Sequence, residues 1–153
     1  LGLTRGQFDR LLSSHYSHEI HALAADRNAP GFANGQLRQE LFELRRDECR
    51  EVEKLLLANR NDFSTAEVEM AAIVAAGCLG GDHLWRDLGL QSRHELRLLL
   101  DSNFRPLVIR NVGDMKWKKF FYKQLCEQDG GYVCRAPSCA QCAVYRDCFG
   151  PEE

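Results

Sequence analysis

The run MAAIVAAGCL, from Met70 to Leu79, carries no charged residue. It follows a clear helix start. Ser64 is expected to cap, Glu67 to return a capping-box bond to the Ser64 amide, and Phe63 to staple onto Val68 across the cap. A capped helix that then shows no polar face is not a surface helix. It is expected to be buried on every side, at the centre of a helical bundle, and Gly80-Gly81 is expected to end it.

The remaining segments supply the surrounding helices. Thr4-x-x-Gln7 is a capping-box pattern opening a short helix with Phe8, Leu11 and Leu12 on one face. Residues 28–34 read as a loop around Pro30 and Gly31. A long helix is predicted over about 36–58, with Leu37, Leu41, Leu44, Val52 and Leu55 at helical spacing and Cys49 in the same seam. Glu43, Asp47 and Glu51 each precede a basic residue by three positions, the mark of a solvated face. Glu48 falls on or beside the apolar stripe, so pairing by Arg45 or by a neighbouring helix is expected. After the short piece HLWRDLGL, Ser92-x-x-Glu95 caps a helix predicted to stop before Pro106. A last helix, about 114–128, turns Trp117, Phe120, Phe121 and Leu125 inward and keeps Lys116, Lys118, Lys119 and Lys123 near its outer side. No repeat, phosphate-binding glycine motif or convincing strand pair is found.

The predicted fold is therefore all-α, a compact bundle of about five to six helices in a single domain over residues 1–153. A helical body (about 1–129) carries a cysteine-rich metal-binding tail (130–153). Its 153 residues suffice for a core without disulfides or metal. A net charge of −2 argues against wholesale nucleic-acid or membrane binding. No run has transmembrane length and no leader resembles a signal peptide; the first residue being Leu1 rather than methionine, a removed leader stays open.

Four of the seven cysteines, Cys134, Cys139, Cys142 and Cys148, form the pattern C-x4-C-x2-C-x5-C. Thiols this close in sequence can converge on one metal centre. Thiolate is a soft ligand suited to zinc, copper(I) and iron-sulfur clusters. Structural zinc usually takes two well-separated short pairs, and only Cys139 and Cys142 form one here. The looser ring favours an iron-sulfur or mixed-metal cluster. Zinc, and disulfides or unligated thiols, stay as alternatives. The odd cysteine number and the tight cluster favour reduced thiols in a cytosol.

The stretches CLGGDHLWRDLGL (78–90), MKWKKFFYKQLCE (115–127) and CRAPSCAQCAVYRDCFGPEE (134–153) resemble the NifQ family. The likeness covers roughly the last hundred residues. It implies a cytoplasmic protein of nitrogen-fixing bacteria that carries molybdenum on an iron-sulfur centre, [4Fe-4S] or [Mo-3Fe-4S]. The metal passes to assembly of the nitrogenase iron-molybdenum cofactor. The cofactor scaffold complex and the nitrogenase iron protein are the implied partners. Such a protein is a metal donor rather than a turnover enzyme. The family's cysteine motif falls on Cys134, Cys139, Cys142 and Cys148. A zinc-stabilised helical interaction module and a cluster- or thiol-based redox protein are the other readings.

Further candidates for metal or molybdate contacts follow from chemistry. Molybdate is a doubly negative oxyanion, and Lys116, Lys118, Lys119 and Arg135 lie close in sequence to the thiols. His83 is expected at a helix start near the core, where an imidazole could ligate metal or hydrogen-bond molybdate, with a satisfied structural histidine as the equal alternative. Cys126 precedes the quartet by eight residues and could lie beside it, though packing as a small apolar residue is the first expectation. His15, His18 and His21 form H-x2-H-x2-H but lack a carboxylate or cysteine partner, so solvated side chains are expected. Cys78 is expected to pack as a small apolar residue, and His94 to lie on an exposed turn.

Overall fold

A computed structural model of the chain describes residues 3, 5–15, 43–128, 130 and 145–152. Among them are seven helices and no strand: α1 (Arg5–His15), α2 (Arg46–Leu57), α3 (Ala66–Cys78), α4 (Leu84–Asp87), α5 (Arg93–Arg110), α6 (Trp117–Gln128) and α7 (Tyr145–Phe149). The all-α expectation holds. Thr4, the expected cap of α1, and the loop at 28–34 lie outside the described residues. None of these helices is long and apolar enough to cross a membrane.

As its charge-free sequence requires, α3 is central. Every residue from Met70 to Leu79 is buried or half-buried, and α1, α2 and α4 all pack on it. Small residues allow the close approach: a Cβ on Gly77 would stand 2.8 Å from the Leu88 side chain. The cap differs in detail from expectation. Glu67 is buried and accepts backbone N–H bonds from Asp62 (2.9 Å), Phe63 (3.0 Å) and Ser64 (3.2 Å). Ser64 Oγ takes the Ala66 N–H (3.2 Å), while the Glu67 N–H goes to the Ser64 carbonyl. No staple forms, and Phe63 is 85% exposed. Drawing three successive amides onto one carboxylate folds the loop over the helix end, with Asp62 at φ +60, and leaves the Phe63 side chain outside.

The helix predicted over 36–58 is not continuous. Residues 43 and 44 are helical, Arg45 breaks the geometry (φ −112, ψ 20), and α2 begins at Arg46; 36–42 lie outside the described residues. The Arg45 guanidinium binds the Glu48 carboxylate (2.6 and 2.7 Å) and donates to the Leu79 carbonyl (2.7 Å) at the end of α3. Leu44, expected inside, is exposed. Beyond the break the stripe behaves as predicted, with Cys49, Val52, Leu55 and Leu56 buried.

The helix expected to stop before Pro106 breaks and then resumes. Phe104 is non-helical (φ −139, ψ 45), yet α5 runs on to Arg110. Asn61, from the turn between α2 and α3, bridges the kink: its Nδ2 donates to the Asp101 carbonyl (3.0 Å) and its Oδ1 accepts the Arg105 N–H (2.9 Å). Pro106 thus lies in the first turn of the second segment, where its missing N–H is no loss. The kink keeps Phe104, Leu107 and Val108 in the core. To the same core cluster α6 contributes Trp117, Phe120 and Phe121, three aromatic rings with centroids 5.8–6.1 Å apart, the inward face predicted from sequence.

Candidate functional site

Of the cysteine quartet, Cys134, Cys139 and Cys142 lie outside the described residues, as does Arg135; Cys148 is placed. It sits half-buried in α7, which docks on the strap between α5 and α6. The Lys116 N–H donates to the Cys148 carbonyl (2.8 Å). Lys116 Nζ reaches the Arg146 carbonyl (3.4 Å), and Phe149 lies close enough to Gly113 that a Cβ there would meet its ring at 3.2 Å. Tyr145 stacks on Phe149 with centroids 4.5 Å apart. The last thiol of the motif is therefore rooted on the helical body.

A cleft of about 290 Å³ opens beside this root, lined among others by His83, Lys116, Trp117, Lys119, Asp147 and Glu152. Candidates from two separate parts of the sequence, His83 and the pair Lys116 and Lys119, thus line one cleft. His83 occupies the N-cap of α4 in extended conformation, without a side-chain capping bond. Lys118 also lines the cleft but is committed elsewhere: its Nζ donates to Asp87 (2.5 Å) and to the Gly80 carbonyl (2.8 Å). That corrects its reading as an outward, solvated lysine. Gly80 is required for this clasp, since a Cβ would fall 2.3 Å from the Asp87 carboxyl group. Cys126 is half-buried further along α6 and does not line the cleft.

Sequence reasoning missed two members of the site, Arg93 and Glu152. The Glu152 side chain is 4% exposed and accepts from Arg93 Nη1 at 2.5 Å. Arg93 Nη2 also donates to the Asp114 carbonyl (2.8 Å), Asp114 Oδ1 (3.1 Å) and the Met115 carbonyl (3.1 Å). One guanidinium thus clamps the end of the chain to the start of the α6 strap. His83 Nδ1 stands 3.8 Å from the same Glu152 oxygen. The other, Glu152 Oε2, is buried without a hydrogen-bond partner, as is Trp117 Nε1. A glutamate directly after Gly150-Pro151 offers no periodicity or spacing that would have marked it.

A second polar cluster lies where α2 meets α6. Tyr122 donates its hydroxyl to Glu48 Oε1, opposite Arg45. Hydrogen bonding from Arg45 holds the Glu48 carboxyl below its ordinary range, and burial, then the bond to Glu48, raises the Tyr122 phenol. Glu48 is thereby paired, as expected, and from both suggested directions. Cys49 and Cys78 are buried, and burial pushes the Cys78 thiol up to about 12. Both are core residues, as expected. His15 ends α1, His18 and His21 lie outside the described residues, and His94 is exposed in the first turn of α5 rather than on a separate turn. Among the described residues no three His, Cys, Asp or Glu side chains alone form a metal-binding group.

The NifQ family model matches residues 1–150. A NifQ protein of Azotobacter vinelandii is 53% identical over 152 residues, 99% of this chain and 78% of that relative. A NifQ protein of Rhodobacter capsulatus is 36% identical over 132 residues, 86% of this chain and 72% of the relative. One of Klebsiella pneumoniae is 52% identical over 81 residues, covering 52% of this chain and 48% of the relative. No solved structure gives a significant match.

Proposed function

The chain belongs to the NifQ family, and from that premise we propose that it is an iron-sulfur protein that binds molybdenum and donates it to assembly of the nitrogenase iron-molybdenum cofactor. It acts as a metal carrier rather than a turnover enzyme, in the cytoplasm, with the cofactor scaffold complex and the nitrogenase iron protein as its partners. The observation that carries the reading is the quartet Cys134, Cys139, Cys142 and Cys148, whose last member is rooted beside a cleft holding His83, Lys116 and Lys119.

The donor set fits such a centre. Four thiols close in sequence supply the soft ligands that iron-sulfur clusters take, and the one placed, Cys148, is half-buried. When bound, a [4Fe-4S] or [Mo-3Fe-4S] centre supplies sulfide to hold reduced molybdenum. The chain's own residues handle the cargo before that. Molybdate arrives as a dianion, and Lys116 and Lys119 on the cleft wall offer it positive charge and N–H donors. Lys118 is neutralised by Asp87, and Arg135 is a further candidate by its place next to Cys134 in sequence.

The test is anaerobic purification followed by quantification of iron, molybdenum and acid-labile sulfide per chain. The expected result is brown protein containing all three, and loss of iron and molybdenum on Cys139→Ser. Colourless protein with one zinc per chain, or a Cys139→Ser variant with full iron and molybdenum, would overturn the proposal.

A further inference from the structure

We infer that the connection between α5 and α6, together with α7, is a docking surface for a protein with an acidic contact face, and that this protein is the recipient of the metal; the inference rests on the metal-carrier reading above. The centre of the surface is apolar. Tyr145 stacks on Phe149 with centroids 4.5 Å apart, and the Phe149 ring lies against Gly113, where a Cβ would meet it at 3.2 Å. Val112, the next residue back, is 90% exposed, and Ile109 at the end of α5 is 62% exposed. The exposure of Val112 is built in. Asn111 and Met115 are buried on either side of it and exchange two bonds, Asn111 Nδ2 to the Met115 carbonyl (2.8 Å) and the Met115 N–H to Asn111 Oδ1 (2.9 Å). This clip holds residues 112–114 outward before any partner arrives, so docking has little chain left to order.

The flanking charges select the partner. The Arg110 guanidinium donates only to neutral oxygens, the Pro106 carbonyl (3.3 Å) and Asn59 Oδ1. Among the described residues, no carboxylate pairs with Arg110, Arg146, Lys116 or Lys119. Asp114, the acid of the protruding loop, is already taken by Arg93 (3.1 Å) and Arg97 (3.6 Å), which leaves Asp147 as the acid of α7 against these four cations. The excess of positive charge is local, since the whole chain carries −2. An acidic face would therefore be steered here, and a basic one repelled. An apolar centre with a charged rim is the make-up of a protein interface, whereas nucleic acid binding rests on a wider field of phosphate contacts. The surface also suits a recipient. It includes the helix that carries Cys148, whose carbonyl accepts the Lys116 N–H (2.8 Å), so a protein seated here lies against the root of the last thiol.

The experiment follows association of the anaerobically purified full chain with purified cofactor scaffold complex, by biolayer interferometry at low and high salt. Arg110→Glu/Arg146→Glu should slow association about tenfold at low salt and flatten its salt dependence, with dissociation little changed. Ile109→Ser/Val112→Ser should speed dissociation about tenfold and leave association alone. Both variants should keep wild-type circular dichroism and wild-type iron and molybdenum content, because the side chains replaced are exposed. Wild-type protein that holds both metals but does not bind the scaffold, or variants that bind it as the wild type does, overturn the inference and leave the carrier function standing. Equal affinity of the wild type for phosphatidylserine vesicles or duplex DNA overturns it too. So does self-association that Ile109→Ser/Val112→Ser abolishes, which would assign the surface to a second copy of the chain. Wild-type protein lacking both iron and molybdenum removes the carrier reading and this inference with it.

Discussion

Replacing Glu67 by alanine should destabilise the protein far more than replacing Ser64, although the sequence presents the serine as the cap. The Glu67 carboxylate is buried and accepts three backbone N–H bonds at 2.9–3.2 Å. Hydrogen bonds to a charged group contribute about 1.5–3 kcal/mol each when counted singly. Three on one carboxylate are not additive, because the loop can open and let water reach the amides. An overall loss of about 2–4 kcal/mol is therefore expected for Glu67→Ala. Ser64 Oγ makes one exposed bond of 3.2 Å to Ala66, so Ser64→Ala should cost about 0.5–1 kcal/mol, the low end for a cap. Glu67→Gln should fall between, since its amide would set an N–H₂ group against a backbone donor. Urea unfolding followed by circular dichroism gives the differences by linear extrapolation. At about 2–4 °C per kcal/mol for a chain of this size, Glu67→Ala should melt roughly 5–15 °C lower. A loss below about 1 kcal/mol for Glu67→Ala, or an equal loss for Ser64→Ala, would refute the assignment of the cap to the carboxylate.

Acid should weaken the α2–α6 contact. The folded Glu48 carboxyl is lowered by Arg45, so its contribution is complete above the ordinary carboxylate value and is lost as pH falls through the lowered one. Glu48→Gln should flatten that acid limb in a stability-against-pH series. In the native protein Cys49 and Cys78 should resist a maleimide until denaturant is added, since both are buried and the Cys78 thiol is pushed up to about 12; labelling at the native rate of an exposed thiol would contradict the burial. Pro106→Ala should change stability by less than about 1 kcal/mol, because the proline occupies a helical first turn. Phe104→Ala, at a fully buried position, should cost about 3–5 kcal/mol in the same denaturation assay.

Much of the helical body was legible because burial writes itself into composition. The charge-free run of α3 announced its central place, and the inward aromatics of α6 followed from helical spacing. What sequence concealed were contacts between distant segments. Asn61 restarts a helix more than forty positions away, so Pro106 read as a stop when it is the opening of a turn. Lys118 looked like a surface lysine until Asp87 and Gly80 were brought to it. Leu44 matched the apolar stripe by spacing, but Arg45 breaks the helix to reach Leu79 across the bundle. At the candidate site, His83, Lys116, Lys119 and Cys148 could be named from residue chemistry. Arg93 and Glu152 could not, because an ion pair across 59 positions has no local pattern.

The docking of α7 bears on the entropy of the metal assembly proposed above. A cysteine segment attached at one end only would have to bring its thiols together from a freely diffusing tail. Here the segment 129–144 is tethered at both ends, by α6 before it and by α7 after it. Closing such a loop depends only logarithmically on its length, about 0.6 kcal/mol per doubling, and folding of the body has already met most of that term. Under the proposed function, an arriving metal would meet a segment whose two ends are already joined through the folded body. Release of the metal would then leave the contact between α7 and the α5–α6 connection in place.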